Sequence, residues 1–141
     1  MESRNLEIIE KYALSFLGTP YKYGGRNRLE GLDCSQLVIE ILIAAGVLPL
    51  NFDTTALKLS QILNKSGIPG QLGLGTVCFY GPSWDEVTHC SWGLSDTLMI
   101  EAGSGLSTTK TLNDAIARSA CVRIRPIQYR KDYLGVIMPK Y

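Results

Sequence analysis

Residues 31–46 read GLDCSQLVIEILIAAG, and this stretch predicts a helix that begins at a cysteine. Asp33 suits the N-cap position, and Gln36 three residues later makes the pair a variant of the capping box. Gly46, followed by Pro49, ends the helix. Apolar residues recur at helical spacing along one core-facing stripe: Leu37, Val38, Ile41, Leu42 and Ala45. Cys34 is therefore the first helical residue, above the buried stripe.

The position of Cys34 has two interpretations. At the positive end of the helix dipole, the pKa of a thiol falls from ~8.5, and the thiolate is the nucleophilic form. Backbone amides of the same turn could also donate to an oxyanion. The same residues describe equally well a capped helix beside a buried, unreactive thiol. On local evidence both interpretations stay open.

The remainder of the first half predicts two more helices and a loop. Asn5 caps a helix that ends at Gly18, with its apolar face at Leu6, Ile9, Ala13, Phe16 and Leu17. Residues 21–32 carry three glycines and alternating charges, which is typical of a loop. Asp53 caps a further helix that runs to about Asn64.

After Gly67 the sequence changes to short β-branched or aromatic segments bounded by turn residues. These segments predict strands at Thr76–Tyr80, His89–Gly93, Thr97–Ile100, Val122–Ile127 and Gly135–Met138, with a turn or two of helix at Leu112–Ala117. Helices followed by strands predict an α+β fold in which N-terminal helices pack on an antiparallel sheet. The length predicts one domain over residues 1–141.

Composition excludes several classes of protein. Hydrophobic residues make up 45% and charged residues 19%, which is typical of a globular protein. The net charge of +1 gives no long-range attraction to nucleic acid or an anionic membrane. No apolar run approaches the ~20 residues of a transmembrane helix. The first 18 residues do not resemble a signal peptide, so we expect the chain to be cytoplasmic when it is synthesised.

The four cysteines form no CxxC pair, and their spacings are wide and irregular. A metal site is therefore not expected, and no motif predicts a cofactor. Without an export signal the reduced state is the default. Cys78, Cys90 and Cys121 each lie in an apolar stretch, where a free cysteine acts as a small core residue.

His89 is the single histidine of the chain. Its place at the start of a predicted strand would hold a base rigidly against a helix N-terminus, as a Cys–His pair requires. Glu101 follows on the next strand-like segment and could accept the second ring N–H of His89, which would set its tautomer. The alternatives are a core or surface histidine and a solvated strand carboxylate, and both stay open at this point.

Two segments together resemble the nucleophile motif of the NlpC-type cell-wall cysteine peptidases. Residues 18–25, GTPYKYGG, follow that family's pattern G-x-P-Y-x-x-G-G, and residues 31–38, GLDCSQLV, follow its pattern G-x-D-C-S-G-L-V. Residues 75–80, GTVCFY, look like its first sheet strand. The segments around His89 and Glu101 look like its base strand and third polar residue. The resemblance runs from about Ala13 to Gly105.

This resemblance implies a papain-like α+β fold. It also implies hydrolysis of amide bonds in bacterial peptidoglycan stem peptides, typically next to D-glutamate and a diamino acid. The implied catalytic residues are Cys34 as nucleophile, His89 as base and Glu101 as the residue that orients the base. The implied substrate-binding residues are Tyr21, Asp33, Ser35 and Gln36.

Two residues depart from the family pattern. Gln36 stands where the family usually has glycine, so we expect the substrate to approach the helix start differently. Glu101 stands where the third residue is often histidine, asparagine or glutamine. A carboxylate can orient His89 equally well, and its charge raises the basicity of the ring.

The expected partner is a peptidoglycan peptide. A catalytic domain without a visible targeting module or leader is typical of a phage-encoded, virion-associated or secretion-delivered wall hydrolase. Two alternatives stay open: a papain-like amidase that acts on another acyl substrate, and an inactive module that binds a peptide or a partner protein.

Overall fold

The computed structural model describes residues 3–141, which form four α-helices and eight strands. The helices are α1 (Ser3–Leu14), α2 (Cys34–Ala44), α3 (Ala56–Ser66) and α4 (Leu112–Arg118), and a 3₁₀ helix spans Ile127–Tyr129. The strands are β1 (Arg26–Asn27), β2 (Gly31–Leu32), β3 (Ile68–Pro69), β4 (Val77–Tyr80), β5 (His89–Gly93), β6 (Leu98–Gly103), β7 (Cys121–Pro126) and β8 (Tyr133–Met138).

Six of these strands form one antiparallel sheet in the order β3-β8-β4-β5-β6-β7. The central pair β4–β5 joins Tyr80 to His89 and Phe79 to Cys90. On the other side, β6 pairs with β7, so that Glu101 lies opposite Arg123. The predicted α+β fold, with N-terminal helices on an antiparallel sheet, is confirmed.

Helix α2 lies against β5 and β6 at the centre of the core. The predicted stripe of Leu37, Val38, Ile41 and Leu42 is fully buried, and so is Ile39 between them. A helix that is apolar on almost every side is stable only when other elements cover it. Burial of α2 therefore places its N-terminus, and Cys34 with it, beside the β5–β6 part of the sheet.

Two predicted helix ends are wrong. The cap of α3 is Thr55, whose Oγ1 accepts from the Lys58 amide at 3.2 Å, and not Asp53. Asp53 instead forms an ion pair with Arg26, with 3.0 Å between Asp53 Oδ1 and Arg26 Nε. Helix α1 already includes Asn5 and ends at Leu14, and turns then lead to Gly18. Threonine and aspartate both cap helices well, so residue type alone does not favour Asp53 over Thr55.

The predicted loop over residues 21–32 contains the small hairpin β1–β2. Within it, a β-carbon on Gly25 would meet the carbonyl of Gly31, so the two strands approach each other closely only with glycine there. No helix within residues 3–141 is long and apolar enough to span a membrane.

Candidate active site

Cys34 is the first residue of α2, as predicted. Asp33 caps the helix, and its Oδ1 accepts from the Gln36 amide at 2.9 Å. The amides of Cys34 and Ser35 belong to the first turn, where a helix offers no carbonyl partner. The Gln36 side chain does not complete a capping box, because it donates to Glu40 Oε1 at 2.8 Å. Unpaired amides beside a partly exposed thiol are suited to bind an oxyanion.

His89, at the start of β5, is hydrogen-bonded to Glu101 of β6. The distance from His89 Nε2 to Glu101 Oε1 is 2.6 Å, and the two residues are 6% and 0% exposed. A carboxylate accepts, so Nε2 carries the hydrogen and Nδ1 is the nitrogen left for another partner. The Cys34 side chain lies within hydrogen-bond reach of the ring. The structure thus brings the three predicted catalytic residues into one line.

Residues that the sequence analysis missed complete the surroundings of Glu101. The Tyr129 hydroxyl donates to Glu101 Oε2 at 3.0 Å, and Arg125 Nε lies 3.6 Å from the same oxygen. A β-carbon on Gly103 would lie 2.6 Å from Glu101 Oε2, so glycine leaves room for the carboxylate. Burial raises the pKa of Glu101, but the hydrogen bond to His89 and these neighbours outweigh it and lower that pKa. Glu101 is therefore a buried, charged and fully paired carboxylate.

Cys90, the residue after His89, contacts the predicted nucleophile. Its Sγ donates to the backbone oxygen of Cys34 at 3.6 Å, and its thiol also lies within hydrogen-bond reach of the Cys34 thiol. The predicted role of Cys90 as a buried core residue is confirmed. Its contact with Cys34 has no signal in the sequence, since 56 positions separate the two residues.

These contacts favour a thiolate–imidazolium pair. A hydrogen bond from Cys90, followed by the hydrogen bond and charge of His89, lowers the pKa of Cys34 well below its usual value despite burial. Burial alone would lower the pKa of His89, but Cys34 and Glu101 outweigh it and raise that pKa to about 9. Opposite shifts of this kind are typical of an activated nucleophile beside its base.

Tyr21 lies beside Cys34 in the groove. It is 8% exposed and lines both cavities that open beside Cys34. A β-carbon on Gly105 would overlap the Tyr21 ring, so the ring packs directly on the Gly105 backbone. Gly105 is thus a second glycine that the site requires, and only the packing reveals it.

Two cavities meet at Cys34. The first, of about 370 Å³, is lined by Asp33, Ser35, Arg26, Thr54 and Thr55 among others, and we call it the Asp33 cavity. The second, of about 340 Å³, is lined by His89, Thr88, Arg130 and residues 102–107 among others, and we call it the His89 cavity. Together they form a groove with the thiol at its centre.

Asp33 and Ser35 line this groove as predicted, whereas Gln36 does not. The Gln36 side chain runs along α2 to Glu40 and lines a neighbouring cavity of about 350 Å³ with Phe52 and Asp53. The substrate contact of Gln36 stays a prediction, and this position of its side chain does not support it. A helix turns by about 100° per residue, so the side chain after Ser35 points to a different side of α2.

Arg26 lines the Asp33 cavity and is paired with two carboxylates. Its Nη1 lies 3.2 Å from Asp33 Oδ2, and its Nε pairs with Asp53 across the loop before α3. Burial raises the pKa of Asp33 although Arg26 and the Gln36 amide act against it. Among residues 3–141, no cluster of three or more His, Cys, Asp or Glu side chains is arranged to hold a metal ion.

Several solved structures share this fold at low sequence identity. An NlpC/P60 family protein from Bacillus cereus matches with a TM-score of 0.70 and 20% identity, over 93% of this chain and 39% of that chain. The NlpC/p60 domain of the peptidoglycan hydrolase SagA matches with a TM-score of 0.67 and 19% identity, over 94% and 97%. This chain thus spans about two fifths of the Bacillus cereus protein and nearly all of the SagA domain.

A third structure differs in function from SagA. RipD from Mycobacterium tuberculosis, described as a non-catalytic NlpC/p60 domain protein adapted to peptidoglycan binding, matches with a TM-score of 0.68 and 17% identity, over 99% of this chain and 100% of that chain. The likeness establishes the papain-like fold and leaves activity to the residues of the site. No curated protein sequence matches this chain significantly.

The sequence model of the NlpC/P60 family matches residues 18–125, which include Cys34, His89 and Glu101. The matched range begins at the glycine of the first motif and ends within β7. It covers most of the chain and the whole of the groove except Arg130. The chain belongs to the NlpC/P60 family.

Proposed function

We propose that the protein is a cysteine hydrolase that cleaves amide bonds in peptidoglycan stem peptides through a Cys34 thioester. The observation that carries the proposal is the hydrogen-bonded line from Cys34 through His89 to Glu101 at the N-terminus of α2. Family members are generally peptidoglycan hydrolases, and SagA is described as one. RipD is described as non-catalytic, so family membership alone does not decide activity.

The first step is attack of the Cys34 thiolate on the carbonyl carbon of the scissile amide. The carbonyl oxygen becomes an oxyanion, which the free amides of the first turn of α2 stabilise. His89, protonated on both nitrogens, gives its Nδ1 proton to the leaving amine as the C–N bond breaks. Glu101 keeps Nε2 as a donor and stabilises the positive ring.

The second step releases the acyl group. Water attacks the thioester carbon while His89, now neutral, accepts a proton from that water at Nδ1. The C–S bond breaks, a carboxylate product forms, and the thiolate–imidazolium pair returns. The cycle needs no co-reactant other than water.

The position of His89 assigns the two halves of the groove. His89 must reach the nitrogen of the leaving amine, and it lines only one of the two cavities. The leaving group therefore occupies the His89 cavity. The acyl half of the substrate occupies the Asp33 cavity, where Asp33 and Ser35 offer polar contacts.

A digest of purified peptidoglycan tests the proposal. The wild-type protein should release peptides whose masses identify the bond cleaved, and Cys34→Ala should release none. Binding of the Cys34→Ala variant to insoluble peptidoglycan is measured in parallel. Binding without release by the wild type would overturn the proposal and favour a binding module instead.

Alkylation with iodoacetamide tests the Cys–His pair without a substrate. Below pH 7, Cys34 should react before Cys78, Cys90 and Cys121, and His89→Ala should remove this preference. Equal labelling of the four cysteines would contradict a catalytic Cys34.

Two further expectations stay predictions: synthesis in the cytoplasm, and association with a virion or with secretion machinery. Fractionation of the source cells would test both.

A further inference from the structure

Arg130 is the one permanently charged side chain among the residues that line the His89 cavity, all of which lie in the described part of the chain. It follows the 3₁₀ helix, far along the sequence from the nucleophile motif. The cavity is otherwise lined by the Cys34–His89 pair, by residues 102–107 and by the uncharged side chains of Tyr21, Tyr23 and Thr88. A ligand group in this half of the groove therefore meets a single guanidinium.

The Arg130 side chain is held in place before any ligand binds. Its Nε and Nη2 donate to the two oxygens of Asp132 at 2.9 and 2.8 Å. Its Cζ lies 5.4 Å from the centre of the Tyr80 ring, and the same ring lies 5.4 Å from that of His89. Tyr80 is itself anchored, because its hydroxyl donates to the Ile127 oxygen at 2.7 Å. A guanidinium oriented in this way loses little entropy when it binds a ligand.

One edge of the guanidinium stays available. Within residues 3–141, Nη1 of Arg130 has no hydrogen-bond partner. Asp132 neutralises the opposite edge, but it does not line the cavity. Arg130 thus brings to this cavity a positive charge and, at Nη1, N–H donors that can form a charge-assisted hydrogen bond with a carboxylate.

We infer that Arg130 selects substrates whose leaving-group residue carries a carboxylate close to the scissile amide. This inference rests on the proposed function and narrows its substrate class. In a stem peptide, the favoured leaving group is a diamino acid with a free carboxylate, and the same residue with that carboxylate amidated or extended is disfavoured.

Two peptides that differ at one group test the inference. Both contain L-Ala-γ-D-Glu joined to lysine, and one ends in a free carboxylate while the other ends in a carboxamide. Wild-type kcat/KM should be about 10- to 100-fold higher for the carboxylate, from the usual strength of a charge-assisted hydrogen bond. Arg130→Gln should lower kcat/KM for the carboxylate by that factor more than for the carboxamide, so that the preference disappears, and Arg130→Lys should retain part of the preference.

The neighbouring Lys131 provides the matched control, because Lys131→Gln removes the same charge from an exposed position outside the cavity. It should keep the wild-type preference. Equal kcat/KM of the wild type for both peptides would overturn the inference. An equal loss on both peptides in Arg130→Gln would also overturn it, because that result describes a merely structural role.

Binding separates this inference from the proposed function. The affinity of Cys34→Ala for the two peptides is measured by calorimetry, which requires no turnover. Tighter binding of the carboxylate peptide, lost in the Cys34→Ala/Arg130→Gln double variant, supports the role of Arg130 even where the wild type hydrolyses neither peptide. Equal affinities overturn it, whereas absent hydrolysis counts against the proposed function alone.

Discussion

The Cys90 thiol donates a hydrogen bond to the backbone oxygen of Cys34, with 3.6 Å between sulfur and oxygen. Strand β5 therefore places two neighbouring side chains beside Cys34: the His89 ring and a second thiol, that of Cys90. The carbonyl of the first residue of α2 is tied directly to the sheet by this contact. Cys34 is thus held by two contacts with β5: its backbone oxygen by Cys90 and its side chain by His89.

Replacing Cys90 should make Cys34 less acidic. The hydrogen bond between the Cys90 and Cys34 thiols, rather than the one to the backbone oxygen, is the main cause that lowers the pKa of Cys34, so Cys90→Ala should shift thiolate formation to higher pH. At pH 6 the alkylation rate of Cys34 should fall about 2- to 10-fold, as the loss of one hydrogen bond predicts. Cys78→Ala is the matched control, since Cys78 is equally buried in the adjacent strand β4. An unchanged pH profile in Cys90→Ala would contradict this account.

Glu101→Gln should lower the pKa of His89. Glutamine can still accept from Nε2, but it lacks the charge that helps to raise the pKa of His89 to about 9. Because the chain has one histidine, an NMR titration of the ring reports on this residue alone. The midpoint should be near pH 9 in the wild type and lower in Glu101→Gln. Exposed Glu86→Gln should leave it unchanged.

The protonation states of Cys34 and His89 should together determine the pH range of activity. The thiolate forms as pH rises through the lowered pKa of Cys34, and the imidazolium is lost as pH rises through about 9. A plot of kcat/KM against pH should therefore be bell-shaped, with its alkaline limb moved to lower pH in Glu101→Gln. An alkaline limb at the same pH in both proteins would show that His89 does not set it.

Gly105→Ala should impair the site through Tyr21. The new methyl group would overlap the Tyr21 ring and displace it from beside Cys34. A displacement of about 1 Å can lower kcat/KM by about 100-fold. Gly73→Ala is the control, because a β-carbon there makes only ordinary contacts. Equal activity of the two variants would show that the position of Tyr21 does not matter for turnover.

Thr55→Ala should destabilise the protein more than Asp53→Ala. Thr55 caps α3, and loss of an N-cap typically costs ~1 kcal/mol in the free energy of unfolding. Asp53 is exposed, and an exposed ion pair such as that with Arg26 contributes ~0.5 kcal/mol or less. Urea unfolding of both variants measures the difference. A larger loss of unfolding free energy in Asp53→Ala than in Thr55→Ala would indicate that Asp53 caps α3, as the sequence predicted.

Local physics explains which parts of the site were predictable. Asp33 and Cys34 depend on helix capping and on the apolar period of α2, both of which are visible within a dozen residues. The strands of His89 and Glu101 were predicted in the correct order, although β6 extends beyond Ile100 to Gly103 and so contains Glu101. The side chain of Gln36 lies outside the groove because it donates to Glu40, one turn along α2.

The features of the site that the sequence did not predict depend on contacts between segments that are distant in the chain. Cys90 reaches Cys34 because α2 packs on β5, and Tyr129 reaches Glu101 because the 3₁₀ helix returns the chain beside β6. Such contacts depend on strand order and register, which short segments of sequence do not encode.

By itself the sequence determined a capped helix with Cys34 at its start, the α+β class, and the order in which nucleophile, base and carboxylate occur. Capping and periodicity are properties of neighbouring residues, so they can be read from the chain. Only the tertiary structure decided that the Cys90 thiol lies beside Cys34, that the Gln36 side chain lies outside the groove, and that Arg130 lines the His89 cavity. Those relationships arise where distant segments pack together, and packing depends on the whole chain.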